Sequence, residues 1–136
     1  MHAETLRQLR VLSALSITLV VAEVLYSRFA WARLPEHLIE LLSLNGINAL
    51  LAIPESVFLA YPYIQIALLI GLMIPMKYSR AAFLANVVFY QVIFALSGIS
   101  IGLAGQSVIF VIQAYAYGAI IYVLMTAYAK EPDKFA

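Results

Sequence analysis

One acidic residue stands out because it lies inside a long apolar stretch. Glu23 falls in the run VVAEVL at residues 20–25. A charged side chain at the centre of a bilayer costs about 2.5–3.5 kcal/mol on insertion scales, so such residues usually face a protein interior and serve a function. At 100° per residue, Ser16 and Ser27 lie on the same helical face as Glu23. The pattern predicts that Glu23 points into a helix bundle.

Three interpretations of Glu23 are open at this stage. Its carboxylate could bind a proton or a cation, as in proton-coupled transport. It could instead be a neutral structural acid that is hydrogen-bonded inside the bundle. Alternatively, it could extend to the membrane surface and pair with Arg28.

Polar side chains also recur on one face of each of three later apolar stretches. Antiparallel threading brings several of them to about the depth of Glu23. The resulting candidate intramembrane polar site consists of Glu23, Gln65, Tyr90 or Gln91, Gln113 and Tyr117. Such a layer could be a ligand pocket or an ion site. Ordinary hydrogen bonding between helices, worth about 0.6 kcal/mol per contact, is the interpretation that we favour.

The composition indicates a membrane protein. Of 136 residues, 65% are hydrophobic and 11% are charged, whereas soluble domains carry about 25% charged residues. A spanning helix needs about 20 mainly apolar residues. The first stretch lacks a cleavage pattern and is too long for a signal-peptide core. We therefore predict a single all-α membrane domain over residues 1–136, a bundle of four transmembrane helices at about 11–30, 55–76, 81–101 and 107–129.

Residues 34–53 are a fifth, ambiguous candidate. Glu36, Glu40 and Ser43 share one helical face, and Asn45-Gly46 then interrupts the pattern. We predict a short interfacial or re-entrant helix there. Four spans with both termini in the cytoplasm satisfy the positive-inside bias of a cell-membrane protein, whereas a fifth span would violate it. The cytoplasmic basic residues would then be Arg7, Arg10, Lys77, Arg80, Lys130 and Lys134, against Arg28 and Arg33 outside.

Two pairs of small residues predict close helix packing. Gly98 with Gly102, and Ala114 with Gly118, are spaced four residues apart. This spacing lets helix backbones approach, either within one bundle or between subunits. Other membrane subunits or a second copy of the chain are therefore the expected partners, besides the lipid bilayer.

The chain lacks the motifs that would indicate catalysis. It has no cysteine, and its two histidines, His2 and His37, lie outside the predicted spans. No P-loop, nucleophile elbow or zinc-protease motif occurs. A formal charge of +1 gives no electrostatic reason to expect nucleic acid. We predict no catalytic residue, metal or dedicated cofactor, although a lipid or quinone could bind between helices without a motif.

Two families share short stretches with this chain. Residues 68–72 (LLIGL) and 77–82 (KYSRAA) resemble the hairpin between the second and third spans of DoxX-like four-helix membrane proteins. That resemblance implies four spans and an association with quinone-linked oxidoreductases. Ala22-Glu23-Val24 is similar to the first helix of small multidrug resistance transporters, whose glutamate exchanges protons for cationic drugs. Their later aromatic and glycine motifs do not occur here, so that role is not transferred to Glu23.

These observations favour a non-catalytic accessory or assembly subunit of a larger membrane complex. One alternative is a small proton-coupled transporter or channel that uses Glu23. Another is a DoxX-like component of a quinone-linked oxidoreductase.

Overall fold

A computed structural model describes residues 3–40, 49–74, 78–98 and 104–130. Within these ranges the chain forms four long helices and one short helix, and it contains no strand. Each long helix is long and apolar enough to cross a membrane, which confirms the predicted fold class. The helices are α1 (Ala3–Trp31), α2 (Glu36–Ile39), α3 (Glu55–Met73), α4 (Ser79–Leu96) and α5 (Ala104–Lys130).

Two predicted spans end too late, and each has a local physical reason. α3 stops at Met73 rather than at residue 76, because Ile74 is extended (φ −103°, ψ 124°) and precedes a proline, which disfavours helical backbone in the residue before it. α4 stops at Leu96 rather than at residue 101. Two residues later Gly98 has φ 81°, the left-handed conformation that glycine adopts readily after a helix end.

The helix starts agree with the sequence pattern at α3 and come earlier than predicted at α1 and α5. α3 begins at Glu55 directly after Pro54, where proline fits the helix start and a carboxylate faces the positive end of the helix dipole. α1 begins at Ala3 rather than at residue 11, and α5 starts at Ala104 rather than at residue 107. Helical hydrogen bonding therefore continues beyond the predicted apolar stretches.

The segment between the first two spans contains only a four-residue helix among its described residues. Residues 41–48, which include Ser43 and Asn45-Gly46, lie outside the described ranges. Residues 49–54 are not helical, and the backbone N–H groups of Leu50 and Leu51 donate to the carbonyl oxygen of Leu96 at 2.9 and 3.4 Å. This part of the connection is therefore attached to the end of α4.

Successive long helices run antiparallel, but their packing does not follow chain order. α1 contacts both α3 and α5, and α4 packs on α3. Arg10 Nε donates to the carbonyl oxygen of Met73 at 3.1 Å, which places the start of α1 beside the end of α3. The described basic residues consequently divide between the two ends of the bundle. Arg7, Arg10, Arg80 and Lys130 lie at the terminal end and Arg28 and Arg33 at the other, while Lys77 and Lys134 fall outside the described residues.

The bundle has an apolar core towards the end that carries Ala3 and Lys130. Leu9 from α1 and Phe83 from α4 are at most 1% exposed there. The other members of this core are Leu69, Leu72, Tyr117, Ile120 and Leu124. The interior becomes more polar along α1 beyond Leu9, whereas large apolar side chains from all four long helices point outward. The interior thus combines an apolar core with several polar side chains, and the outward faces are rich in apolar side chains, as expected of helices that span a membrane.

Candidate intramembrane polar site

The inward face of α1 follows an alternating spacing of four and three residues. Leu9, Ser13, Ser16 and Val20 are buried, and the same spacing continues to Glu23 and Ser27, which are half-buried. This is the spacing of a packed seam between helices. Four of its six positions carry polar side chains, so α1 brings hydrogen-bonding groups into the bundle interior.

Glu23 lies in a hydrogen-bonded group that joins α1 to the start of α5. Ser27 Oγ donates to Glu23 Oε1 at 2.9 Å. Gln106 Nε2 lies 3.3 Å from the same oxygen and 2.5 Å from Ser27 Oγ. Because both donors are neutral, they can hold the carboxyl group in place without an opposite charge.

Pairing of Glu23 with Arg28 is one of the three interpretations of this carboxyl group. Among the described residues, no ion pair joins Glu23 to Arg28. Arg33, the other basic residue at this end, places its guanidinium carbon 3.8 Å from the centre of the Phe29 ring. The structure therefore orients Glu23 towards its neutral donors in the bundle.

α1 and α5 approach closely beside this group. A Cβ atom added at Gly105 would overlap the hydroxyl and ring of Tyr26. Glycine at this position therefore leaves room for the Tyr26 side chain next to the start of α5. The close approach helps to bring Gln106 within reach of Glu23.

A second polar group lies deeper, where α3 meets α5. The Tyr117 hydroxyl donates to Gln65 Oε1 at 3.1 Å, and the Gln65 side chain is fully buried. The Tyr61 hydroxyl interacts with the Tyr117 hydroxyl. Tyr61 also interacts electrostatically with the Glu23 carboxyl group. Tyr61 thus stands between the two polar groups.

Helix register places Gln65 and Gln113 at the same depth. Met73 is beside Arg10, and Gln65 lies eight residues earlier in the antiparallel α3, so it is level with about residue 18 of α1. Gln106 contacts both Glu23 and Ser27, so it is level with about residue 25 of α1. Gln113 lies seven residues further along the antiparallel α5, which again is level with about residue 18 of α1. Both amides are therefore within about one turn of Ser16, in a polar layer near the middle of the bundle.

Much of this layer has unmet hydrogen-bonding capacity. Buried atoms without a hydrogen-bond partner among the described residues are Ser13 Oγ, Ser16 Oγ, Gln65 Nε2, Asn86 Nδ2, and Nε2 and Oε1 of Gln113. A buried polar group that loses its partners costs about 1–3 kcal/mol. The layer is therefore poorly optimised for stability compared with an apolar core of the same shape.

Tyr90, and not Gln91, faces the interior. The Tyr90 side chain is 3% exposed, and its hydroxyl donates to the carbonyl oxygen of Val57 at 2.9 Å. Its ring meets that of Tyr61 edge to face, with centroids 4.6 Å apart. Gln91 is exposed on the outer surface of α4. The candidate site thus retains Tyr90 as a residue that fixes α4 to α3, and Gln91 lies outside it.

Of the first predicted packing pair, Gly98 lies two residues after the end of α4, and Gly102 lies outside the described residues. Ala114 and Gly118 are exposed on the outward face of α5, and a Cβ atom added at Gly118 would meet nothing within 4 Å. Within the chain the close approaches involve other glycines, such as Gly71, where an added Cβ would lie 3.3 Å from Ser79 Cβ.

Gln113→Leu is expected to raise the free energy of unfolding by about 1–3 kcal/mol, because it replaces a buried amide that makes no hydrogen bond of good geometry among the described residues by an apolar side chain of similar size. Reversible unfolding in mild detergent measures the change. Gln91→Leu is the matched control. Its side chain faces outward in the folded bundle and in separated helices alike, so little change is expected. Destabilisation by Gln113→Leu would show instead that the amide has a stabilising partner.

The chemistry available in this site is proton binding and neutral hydrogen bonding. Glu23 is its only carboxylate, and no cluster of metal-ligating side chains occurs in the described part of the chain. Sequence reasoning missed Ser13, although the spacing from Leu9 to Val20 could have placed it on the buried seam. No family model, curated protein or solved structure matches this chain, so its site has to be interpreted from its own residues.

Proposed function

We propose that this multi-pass membrane protein is a non-catalytic accessory or assembly subunit of a larger membrane complex. One observation carries the proposal: the middle of α5 has an exposed face on which small residues lie next to a tyrosine. This outward face consists of Val111, Ala114, Tyr115 and Gly118.

Tyr115 supports this interpretation by its position. Its side chain is 78% exposed, and it lies about 16 Å along α5 from Ala104 at 1.5 Å per residue. Tyrosines that contact lipid favour the headgroup zone, where the hydroxyl is hydrated. A tyrosine near mid-span is better accommodated against another protein helix, which can accept its hydrogen bond.

Gly118 supplies the complementary feature on the same face. The space around Gly118 is open, and the large Tyr115 side chain lies beside it. Together they form a step, a depression at Gly118 next to the projecting Tyr115, into which another helix can pack. Helix association in membranes depends on such close contacts, because lipid tails are as apolar as the helices themselves. The occupant is another membrane subunit or a second copy of this chain.

The proposed orientation places both termini in the cytoplasm of the cell. Four described basic residues lie at the end of the bundle that carries Ala3 and Lys130, and two lie at the other end. Cytoplasmic segments next to spanning helices are enriched in lysine and arginine.

Gly118→Leu is expected to weaken association with other membrane subunits more than tenfold, about 1.4 kcal/mol, because the added side chain fills the step beside Tyr115. Extraction in mild detergent followed by quantified co-purification and light scattering measures this loss. Ala85→Leu is the matched control, since Ala85 is an exposed small residue on α4. A wild-type chain that remains a monodisperse monomer without partners would contradict the proposal.

The environment of Glu23 favours a second candidate function, proton-coupled transport. Its carboxyl group lies half-buried inside the bundle with neutral donors, an arrangement that can bind and release a proton. A DoxX-like quinone-linked role, suggested by the sequence resemblance, predicts quinone in the extracted protein, which chromatography can detect.

A further inference from the structure

A continuous groove runs along the lipid-facing junction of α1 and α5 at the end of the bundle that carries Ala3 and Lys130. Two adjoining parts, of about 440 and 280 Å³, share the side chains of Glu4, Gln8, Tyr122 and Val123. Tyr122, which lines both parts of the groove, lies one helical turn beyond Gly118 on the same side of α5. The groove therefore adjoins the surface that the proposed subunit contact uses, and it extends from there towards α1.

The lining of the groove changes from polar to apolar with depth. Arg7 and Gln8 lie one helical turn before Val11 and Leu12, and Lys130 lies about two turns beyond Tyr122. The charged side chains are thus at the helix ends, at the level of the lipid headgroups, and the apolar ones extend towards the hydrocarbon. This order matches the order of chemical groups along a phospholipid.

The charges of the groove favour an anionic headgroup. Arg7 and Lys130 bring two positive charges, and Glu4 brings one negative charge. Arg7 Nη1 is 3.9 Å from Glu4 Oε2, and both side chains are mostly exposed, so this pair is loose and leaves the guanidinium able to bind a phosphate. Basic pockets between membrane helices are suited to anionic lipid headgroups.

We propose that this groove is a binding site for an anionic phospholipid. Arg7 and Lys130 hold the phosphate, Gln8 donates a further hydrogen bond, and an acyl chain lies along Val11, Leu12 and Val123. In the proposed orientation the groove opens to the cytoplasmic leaflet, which carries anionic lipids. The bound lipid would fill the junction between the first and last spanning helices.

Titration of the detergent-solubilised protein with phosphatidylglycerol and, separately, phosphatidylcholine of the same acyl chains tests the site, with native mass spectrometry as the readout. Phosphatidylglycerol is expected to bind preferentially. Arg7→Gln and Lys130→Gln are each expected to weaken its binding about fivefold, the effect of one basic residue near a charged membrane surface. Arg28→Gln, at the opposite end of the bundle, is the control and is expected to leave the binding unchanged.

Several outcomes would overturn the assignment. Equal binding of the two lipids, or a preference for phosphatidylglycerol that persists in the Arg7→Gln/Lys130→Gln double variant, would show that these charges do not select a headgroup. Water-soluble glycerol phosphate is the third probe. If it competes as well as phosphatidylglycerol, the apolar part of the groove contributes nothing and the ligand is not a phospholipid. Because the variants are on exposed side chains, unfolding temperatures close to wild type are expected and are measured in parallel.

Discussion

Phe83→Ala is expected to lower the free energy of unfolding by about 3–5 kcal/mol, the range for removing a fully buried aromatic ring. The Phe83 side chain is completely buried in the apolar core. Its ring meets that of Tyr117 edge to face with centroids 5.6 Å apart, which joins α4 to α5. Truncation to alanine would leave a cavity between these helices and remove the ring contact. Reversible unfolding of the purified protein in mild detergent measures the loss.

Phe110→Ala provides the matched control for this experiment. The Phe110 side chain is 50% exposed on α5, so the same truncation occurs at a surface that lipid or detergent can refill. A change of less than about 1 kcal/mol is expected there, since no closed cavity forms. Equal losses at the two positions would contradict the helix packing described for α4.

Glu23→Leu is expected to cause the second largest loss of stability, about 1–3 kcal/mol of unfolding free energy. Without the carboxyl group, Ser27 Oγ loses its acceptor and Gln106 Nε2 loses one of two acceptors, and removing the partner of a polar group inside a bundle is costly. Glu23→Gln keeps a side-chain oxygen at the same position and should therefore retain most of the stability. The difference between the two variants isolates the contribution of the acceptor oxygen.

A double-mutant cycle with Gln106→Leu tests whether this contribution comes from the contact across α1 and α5. Hydrogen bonds between membrane helices contribute about 0.6 kcal/mol on average and at most about 1.7 kcal/mol. A coupling free energy in that range between Glu23→Leu and Gln106→Leu is expected. Additive effects would mean that the 3.3 Å contact contributes no stability.

The Glu23→Gln variant also separates the two candidate functions. Under the subunit proposal, it assembles with its partners as the wild type does. Under the transport alternative, it is stable and assembled but no longer moves protons or a coupled cation in reconstituted vesicles, because an amide cannot carry the titrating proton. Uptake driven by an imposed pH gradient, compared with Glu23→Gln in the same vesicles, gives the answer.

The sequence by itself determined the membrane class and the four spanning helices. An apolar stretch of about 20 residues indicates that a helix lies in a bilayer. Pro54-Glu55 indicates a helix start through local backbone chemistry, which does not depend on tertiary contacts. The 3.6-residue period likewise indicated which polar residues share a face, as with Ser16, Glu23 and Ser27. These signals are local, and they appear in the linear order of residues.

Only the tertiary structure decided which faces meet. Tyr90 and Gln91 are adjacent in sequence and lie at nearly the same depth in the membrane, so depth alone could not show which one faces the interior. The packing of α4 on α3 places Tyr90 inside and Gln91 outside. The contact of Glu23 with Gln106 joins residues 83 positions apart, and the outward position of Gly118 depends on which side of α5 the other helices occupy. Glu23, predicted to face a bundle, has Ser27 as a partner within α1 but acquires Gln106 only when α1 and α5 pack, because a helical period defines a face and tertiary packing selects its neighbour.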